Sequence, residues 1–360
     1  MPTTVFAHIG LPKTGTTHLQ ALLYANRGAF QQQGTTVVGR HRMHFDAASE
    51  ITGARGRRTG EIPSGRWVKV VRAVEKVTTP QAVFSSERYS LARPPGARTL
   101  VETLCDSSAD AEVHVIVTLR DLVAAEPSAW QEYVKNGGTR SWPEFCAAGV
   151  ADPDELRRRR RVRRLFAAWP EVLPPEHLHV VTVPPPGCPH GLLFERFCSV
   201  LGVDPAAMDT LEGRANSSLD FVATEMLRRV NARRPRLPVP VQRAEIKKFL
   251  ANGALSRRDV RIRPALSGEA LALARAENEW VTERLRSGGH DVVGDLADLH
   301  GDHPDAPASY DVPAEDLLDA ALEAVALLAT RSAERGAAER GTVERPRGRA
   351  KVTGLLGREG

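Results

Sequence analysis

The chain has 360 residues, of which 42% are hydrophobic and 26% are charged, and its formal net charge is +5. This composition is that of an ordinary globular protein. The length allows one large α/β domain or two smaller ones. No apolar run approaches the roughly 20 residues that cross a membrane, so no membrane span is expected.

The four cysteines have no spacing typical of a metal or redox site. Reduced cysteines of this kind are typical of cytosolic proteins. Because a strand is predicted almost at the first residue, no signal peptide is expected. These features favour a cytoplasmic location.

The first predicted elements are a buried strand at residues 5–7, a loop at 10–17 and a helix at 18–24. Backbone N–H groups converge where such a loop enters a helix, and the helix dipole favours negative charge there. Gly10 and Gly15 allow the tight path that the loop requires. The loop side chains add one positive charge and three hydroxyl groups, from Lys13, Thr14, Thr16 and Thr17. This segment predicts an anion site.

The loop differs from the common nucleotide-binding loop, which places its lysine directly after the second glycine. Here Thr16 follows Gly15, and Lys13 lies two residues before that glycine. The usual magnesium-binding hydroxyl of the common motif directly follows that lysine, whereas Thr17 at this position follows a threonine. The pattern therefore argues against an ordinary ATPase or GTPase. The alternative is a helix start with threonine caps and an incidental lysine.

The next segments alternate between strand-like and helix-like patterns. Residues 35–39 predict a short strand, and residues 67–77 predict a helix. Residues 41–65 are polar and rich in glycine and arginine, and predict a long loop. Such loops are often functional, so this one is a candidate lid over an acceptor.

A further strand at residues 82–84 is followed by three polar residues, Ser85, Ser86 and Glu87. In open α/β sheets, ligands bind beyond the carboxyl ends of the strands. Glu87 is therefore expected near a ligand on the first loop, provided that its strand neighbours the first strand. A helix cap or a partner of Arg88 is an equally compatible role for Glu87. Ser85 and Ser86 are weaker candidates as hydrogen-bond donors.

The run Val113–Leu119 is β-branched and apolar and predicts a central parallel strand that ends at Arg120. Pro127 suits the first position of a helix, so Ser128 is predicted in a first helical turn. An arginine at a strand end and a serine at a helix start can face one phosphate. The alternative roles are a structural ion pair for Arg120 and an ordinary cap for Ser128.

The loop Pro12-Lys13-Thr14-Gly15-Thr16-Thr17 resembles the loop with which sulfotransferases that use 3′-phosphoadenosine 5′-phosphosulfate (PAPS) bind the 5′-phosphosulfate. That family binds the 3′-phosphate with an arginine and a serine at the spacing of Arg120 and Ser128. The resemblance therefore implies a ligand with phosphate groups at both its 3′ and 5′ ends. ATP lacks the 3′ group, which argues against a kinase. Its usual Arg-Asp-Pro opening becomes Arg120-Asp121-Leu122 here, which leaves both binding residues in place.

The resemblance, to soluble bacterial members of the family, covers roughly residues 1–300. It implies a P-loop-containing three-layer α/β fold, with a central parallel sheet flanked by helices and a helical C-terminal half. It implies PAPS as sulfuryl donor, the bisphosphate PAP as product, and no required metal. Lys13 would stabilise the departing phosphate, and Glu87 matches the position of the general base. The other candidate bases are histidines: His8, His18, His41 and His44.

Residues 177–183 predict another strand, and residues 191–287 look helical throughout. The dense basic run Arg157–Arg164 is predicted on a helix that begins near Asp152. It could contact an anionic acceptor or the cofactor phosphates, or form a solvated helix face. Interleaved aromatic residues are missing from the run, so nucleic acid is not an expected partner. The opening Asn216-Ser217-Ser218 predicts helix caps, with a cofactor contact as the alternative.

The predicted organisation is one domain at 1–300, with a helical subregion at about 191–290, and an extension at 301–360. The segment 290–296 looks like the end of the folded domain. The extension contains an amphipathic helix at about 314–334 and a tail whose composition predicts disorder. The predicted function is transfer of a sulfuryl group from PAPS to a hydroxyl or amine of a small molecule or glycan. The alternatives are a P-loop kinase-type phosphotransferase and a non-catalytic nucleotide- or polyanion-binding protein.

Overall fold

The computed structural model describes residues 1–54, 61–62, 64–107, 111–151, 157–210, 219–235, 237–255, 264–303 and 310–343. Six strands form one sheet in which all pairs are parallel, in the order β2-β3-β1-β4-β5-β6. In chain order they are β1 Thr4–His8, β2 Thr35–Val37, β3 Gln81–Ser85, β4 Glu112–Leu119, β5 Leu178–Thr182 and β6 Asp291–Val293. The predicted α/β class with a central parallel sheet is confirmed.

Thirteen α-helices lie within the described residues. They are α1 Thr16–Ala25, α2 Arg27–Gln32, α3 His41–Ile51, α4 Trp67–Glu75, α5 Pro94–Ser107, α6 Leu122–Lys135, α7 Trp142–Ala151, α8 Arg157–Ala168, α9 Leu192–Val200, α10 Phe221–Arg233, α11 Val239–Val241, α12 Gly268–Ser287 and α13 Ala314–Val343. Helix α11 continues directly into a π-helix, Gln242–Ala254. The described elements from 191 to 287 are helical, as predicted.

Successive side chains along each strand point to opposite faces of the sheet. On one face, Val5 and Ala7 belong to a core that also contains residues of α4, α5 and α8. On the other face, Phe6 and Ile116 belong to a core with residues of α1 and α9. Helices therefore cover both faces of the sheet, which explains why its strands read as near-continuous apolar runs.

A second body of helices packs beside the sheet around its own core. Its buried residues come from α6, α7, α10, the π-helix, α12 and α13, and include Trp130, Trp142 and Leu227. Helix α6 directly follows β4 and contributes to this core. It therefore connects the sheet to the helical part of the chain.

The prediction of a loop at residues 41–65 is wrong for its first part, because His41–Ile51 form helix α3. His44, Ala47 and Ala48 are buried on one side of this helix, at the spacing of a helical face. Histidine and alanine carry little of the hydrophobic signal that marks an amphipathic helix, so the sequence pattern missed it. Residues 55–60 and 63 lie outside the described part of the chain.

The predicted start of the helix around Ser128 is also wrong. Helix α6 begins at Leu122, and the Asp121 carboxylate caps it by accepting a hydrogen bond from Val123 N at 2.8 Å. Pro127 therefore lies inside the helix, where it removes one backbone hydrogen bond. Burial of side chains on both sides of Pro127, including Trp130, stabilises a helix that continues through it.

The segment near residue 290 contains β6, which the sequence did not reveal. This edge strand has only two apolar residues, and none of its three residues is fully buried. It pairs in parallel with β5 through Val180 and Val292. Farther along, α13 begins at Ala314, as the sequence predicts, and packs against α10 and the π-helix through the buried side chains of Ala320 and Ala324. None of the described helices is both long and apolar enough to cross a membrane.

The packing of α13 predicts opposite effects for two substitutions on this helix. Ala320 is fully buried, whereas Leu318 is 57% exposed. Ala320→Glu should lower the free energy of unfolding by more than about 2 kcal/mol, because it introduces an unpaired charge into a filled core. Leu318→Glu should change it by less than about 0.5 kcal/mol. Urea denaturation of both variants tests this, and equal stabilities would contradict the described packing.

Candidate functional site

The chain reverses its direction of travel across the sheet between β1 and β4, which are neighbours. From β1 it proceeds towards β2 on one side, and from β4 it proceeds towards β5 on the other. In open α/β sheets, ligands bind at such a switch point, beyond the carboxyl ends of the strands. The loop that contains Lys13 follows β1, and Arg120 follows β4. The fold therefore brings the two predicted phosphate-binding segments to one crevice.

A cleft of about 440 Å³, counting its open mouth, lies between these two segments. Its walls are largely apolar and include Leu11, Pro12, Thr14, Leu119, Arg120, Leu122, Ala125, Val162, Asn278, Val281 and Leu299. Ligand sites in proteins are commonly lined by apolar residues with a few polar groups. The residues flanking the cleft decide what it can hold.

The loop after β1 has an unusual backbone. Gly10, Lys13 and Gly15 all have positive φ angles, of 41°, 69° and 81°. Among the residues that the structure describes, Lys13 is the only non-glycine with positive φ, and such conformations cluster at ligand sites. Gly15 is the N-cap of α1 and has no side chain to bond the first N–H groups of that helix. The first N–H groups of α1 therefore have no side-chain cap.

Two of the loop threonines stabilise the loop itself. The Thr14 hydroxyl donates to the carbonyl of Leu11 at 2.5 Å and lies 2.6 Å from the hydroxyl of Thr118 in β4. The Thr16 hydroxyl donates to the same carbonyl at 3.2 Å. Both side chains are buried, whereas Thr17 is exposed. Thr14 and Thr16 therefore shape the anion loop and tie it to β4, and Thr17 is the threonine at its surface.

Three lysines surround one glutamate beside the loop. Lys13 Nζ lies 3.2 Å from Glu132 Oε2, and Lys247 of the π-helix pairs with the other carboxylate oxygen. Burial lowers the pKa of Lys135 to about 8, helped by the positive charge of Lys13. Burial alone would raise the pKa of Glu132, but Lys13 and Lys247 lower it to about 2. One carboxylate thus faces three ammonium groups, which leaves an excess of positive charge for an anion.

Ser128 lies two turns into α6 and is half-buried. It is four residues before Glu132 and seven before Lys135, so the three side chains share one face of the helix. Because Glu132 contacts Lys13, this face is directed towards the loop. Ser128 therefore reaches the crevice side of α6 from mid-helix rather than from a first turn.

The junction between Arg120 and α6 is held by buried hydrogen bonds. Asn278 of α12 donates to Asp121 Oδ1 at 2.8 Å and accepts from Leu122 N at 3.1 Å. His303 contacts the other carboxylate oxygen of Asp121. These bonds fix the turn that directs the half-buried Arg120 to the wall of the cleft.

Glu87 is on the other side of β1 from Arg120. β3 neighbours β1, with Ser85 opposite His8, and Ser86 N donates to the carbonyl of His8 at 3.0 Å. Glu87 opens a 3₁₀-helix, Glu87–Leu91, that Ser86 caps. It therefore lies just past the carboxyl end of β3, at the level of the anion loop. The predicted role of Glu87 required its strand, β3, to neighbour β1, and the two strands are neighbours.

The four candidate histidines differ sharply in exposure. His8 is fully buried beneath the loop, 2.8 Å from the Ser85 hydroxyl, and burial lowers its pKa to about 3. His44 is also buried, next to the carbonyl of Val38, and burial lowers its pKa to about 4. These two rings support the fold around the crevice. His18 is half-buried and His41 is exposed.

The basic run is helical in the structure, as residues of α8. Arg163 makes a two-pronged ion pair with the buried Glu277 and lies over the ring of Trp280 at 4.4 Å. This arginine therefore has a structural role. The side chains of residues 157–161 lie outside the described part, as do Asn216, Ser217 and Ser218.

Sequence spacing gave no sign of a metal cluster, but the fold brings three ligand-type side chains together at the opposite end of the sheet. Ligand atoms of Glu112, His114 and His177 lie within 4.8 Å of one another. The signal present in the sequence is a Glu-x-His pair and a His-x-His pair at the starts of two strands, where alternate residues share a face. Only the pairing of β4 with β5 shows that the two pairs meet.

The chain matches no known family model, no curated protein and no solved structure. The interpretation of the site therefore depends on its own geometry and chemistry.

The low pKa of Glu132 predicts a pH-dependent loss of stability. A carboxylate whose folded-state pKa lies below its ordinary value of 4.5 stabilises the fold above that pH, and this contribution is lost as the pH falls towards 2. Glu132→Gln should lower the free energy of unfolding by about 2 kcal/mol near pH 7, and by much less near pH 3. This magnitude allows for screening, since the side chain is 30% exposed.

Urea denaturation at the two pH values measures the difference. Glu102→Gln is the matched control, because Glu102 pairs with Arg98 on the surface and is 62% exposed. Its effect should stay within about 0.5 kcal/mol at both pH values. A Glu132 effect of the same size at both pH values would contradict the assigned charge cluster.

Proposed function

We propose that this protein is a sulfotransferase that moves the sulfuryl group of PAPS to a hydroxyl or amine acceptor. The observation that carries the proposal is the meeting of the Lys13 loop and Arg120 at one switch-point crevice. A ligand in this crevice has an anion site at each end and apolar walls between them. PAPS has the matching chemistry: a 5′-phosphosulfate, a 3′-phosphate and an adenine ring.

In this proposal, the 5′ end of the donor binds to the loop Pro12-Lys13-Thr14-Gly15-Thr16-Thr17. The first backbone N–H groups of α1 lack a side-chain cap and are the proposed donors. Gly15 allows the left-handed turn before them and the close approach of Leu193. Glu132 neutralises part of the lysine charge without ligand. An incoming phosphosulfate would replace Glu132 as the counter-charge to Lys13, Lys135 and Lys247.

The 3′ end belongs near Arg120 and Ser128. A guanidinium presents a planar set of donors that suits phosphate oxygens. Arg120 stands at the wall of the cleft, and Ser128 shares a face of α6 with Glu132, which contacts Lys13. The apolar residues between the two anion sites, including Leu119 and Leu122, suit an adenine ring.

The reaction is an in-line displacement at sulfur. The acceptor oxygen or nitrogen forms a bond to sulfur while the bond between sulfur and the bridging phosphate oxygen breaks. The acceptor's proton passes to the Glu87 carboxylate, and the electron pair of the broken bond leaves with the phosphate of PAP. Lys13 and the loop amides stabilise the charge that develops on that phosphate, the kind of preorganised interaction that contributes most to enzymatic rates. This scheme uses no metal ion.

The two rival functions fit these features less well. A kinase-type phosphotransferase does not explain a second anion-binding residue at the neighbouring strand end, or the position of Lys13 before Gly15. A non-catalytic polyanion-binding protein would use the arginines of α8, of which Arg163 is already paired with Glu277. A small molecule or a glycan is the proposed acceptor class, and an anionic acceptor could use the remaining arginines of that run.

Nucleotide selectivity tests the 3′-phosphate site. Isothermal titration calorimetry of the wild-type chain should show tighter binding of PAP than of 5′-AMP, ATP or GTP. Arg120→Ala should weaken PAP binding at least about tenfold, as expected for loss of a charge-assisted contact worth 1.5–3 kcal/mol, and should leave 5′-AMP binding nearly unchanged. Arg98→Ala, on the exposed side of α5, is the matched control. Preference for ATP with magnesium would refute the proposal.

Two further variants separate binding from chemistry. Glu87→Gln should slow sulfuryl transfer by about 10²–10⁴-fold, the usual contribution of a general base, and leave PAP affinity unchanged. Lys13→Ala should abolish detectable transfer and weaken PAP binding as well, because it removes charge at both stages. The assay follows radiolabelled sulfate from PAPS to a panel of alcohols, phenols, amines and glycans, with the exposed Lys69→Ala as control. Full activity of Glu87→Gln would assign the base to another residue, first to a histidine.

A further inference from the structure

The amino-terminal edge of the sheet carries a group of side chains that the proposed transfer reaction does not use. Five ionisable residues meet where β4, β5 and β6 begin: Glu112, His114, His177, His179 and Asp291. We call them the amino-edge cluster. In a parallel strand, the six residues from His114 to Arg120 span about 20 Å. The cluster is therefore remote from the crevice.

A chain of short hydrogen bonds runs through the cluster. Asp291 Oδ2 lies 2.6 Å from His179 Nδ1, and His179 Nε2 lies 2.8 Å from His114 Nδ1. The ring of His177 stacks on that of His114, with centroids 4.0 Å apart. Phe6 packs against the rings of His114 and His179 at 5.2 and 6.0 Å. The imidazoles are thus held in fixed orientations by packing as well as by hydrogen bonds.

These bonds determine which nitrogen of His114 is available. His114 Nδ1 is engaged by His179 Nε2, and His179 is in turn engaged by Asp291. A ligand imidazole binds a metal ion through a lone pair on the ring nitrogen that its outer partner leaves available, which for His114 is Nε2. His114 Nε2 is therefore the ring nitrogen that is left to bind a metal ion.

That nitrogen faces a second electron-rich atom. His114 Nε2 lies 3.6 Å from Glu112 Oε2, too far for a good hydrogen bond. Two donor atoms bound to one tetrahedral zinc ion, at about 2.0–2.1 Å each, are roughly 3.4 Å apart. A nitrogen of His177 completes a set whose members all lie within 4.8 Å. The spacing fits a shared metal ion after a contraction of at most about 1.4 Å.

We propose that Glu112, His114 and His177 bind one divalent transition-metal ion of the zinc class. Two imidazoles and one carboxylate are a known zinc-binding combination. His179 and Asp291 would act as outer partners that fix the tautomer and orientation of His114, as carboxylates and histidines do around many zinc sites. The ion would connect the start of β4 to the segment Pro175–His177 that precedes β5. Its role is therefore stabilisation of this sheet edge.

Zinc binding by the purified full-length chain, stripped with a chelator, tests the proposal. Isothermal titration with Zn²⁺ should show one specific ion per chain, and thermal unfolding should shift upwards with Zn²⁺ because the metal binds the folded state. Bound Co²⁺ should give the visible absorption of a tetrahedral site. Glu112→Gln and His177→Ala should each weaken Zn²⁺ binding at least about tenfold, and Asp291→Asn should weaken it about 10–100-fold as an outer partner.

The chosen variants avoid the fully buried core, since Glu112 and Asp291 are largely solvent-accessible and His177 is half-buried. His190→Ala, which removes an exposed histidine outside the cluster, should leave zinc affinity unchanged. Lys13→Ala should also bind zinc normally, which separates this result from the fate of the sulfotransferase proposal. Absence of zinc binding to the wild-type chain would overturn the metal site. So would equal zinc affinity in the wild type and in both ligand variants.

Discussion

The parallel pairing of β1 with β4 is the constraint on which the candidate site depends. It places the loop after β1 beside Arg120 at the end of β4, and the Thr14–Thr118 contact ties that loop to the neighbouring strand. The connections from these two strands leave in opposite directions, so a crevice opens between them. The helix N-termini of α1 and α6 then point to the same edge, where their dipoles favour an anion.

Charge balance around Glu132 connects the sheet to the helical body. Helix α6 provides Glu132 and Lys135, the loop provides Lys13 and the π-helix provides Lys247. In low-dielectric surroundings, three lysines without counter-charge would repel one another strongly. The glutamate limits this cost when no ligand is bound, while the remaining positive charge favours an anionic one.

Much of the sheet was predictable because parallel strands buried on both faces leave long apolar runs, as in Val113–Leu119. The edge strand β6 and helix α3 were not predicted. β6 has only two apolar residues, and the buried face of α3 is formed by His44, Ala47, Ala48 and Ser49 rather than by large apolar side chains. Pro127 was misleading, because local propensity favours it at a helix start, whereas burial of residues such as Trp130 stabilises α6 on both sides of it. Tertiary packing overrides such local preferences when enough apolar surface is buried.

The sequence by itself determined the local chemistry of the crevice: a glycine-containing loop with Lys13 after a strand, an arginine at the end of another and an acid at the end of a third. These signals are local because backbone conformation and strand ends depend on adjacent residues. Only the tertiary structure decided that Lys13 meets Glu132, that Ser128 faces the loop from mid-helix, and that Glu112 and His114 meet His177. Those residues are separated by tens of positions along the chain, and strand order and helix packing, rather than local pattern, bring them within reach of one another.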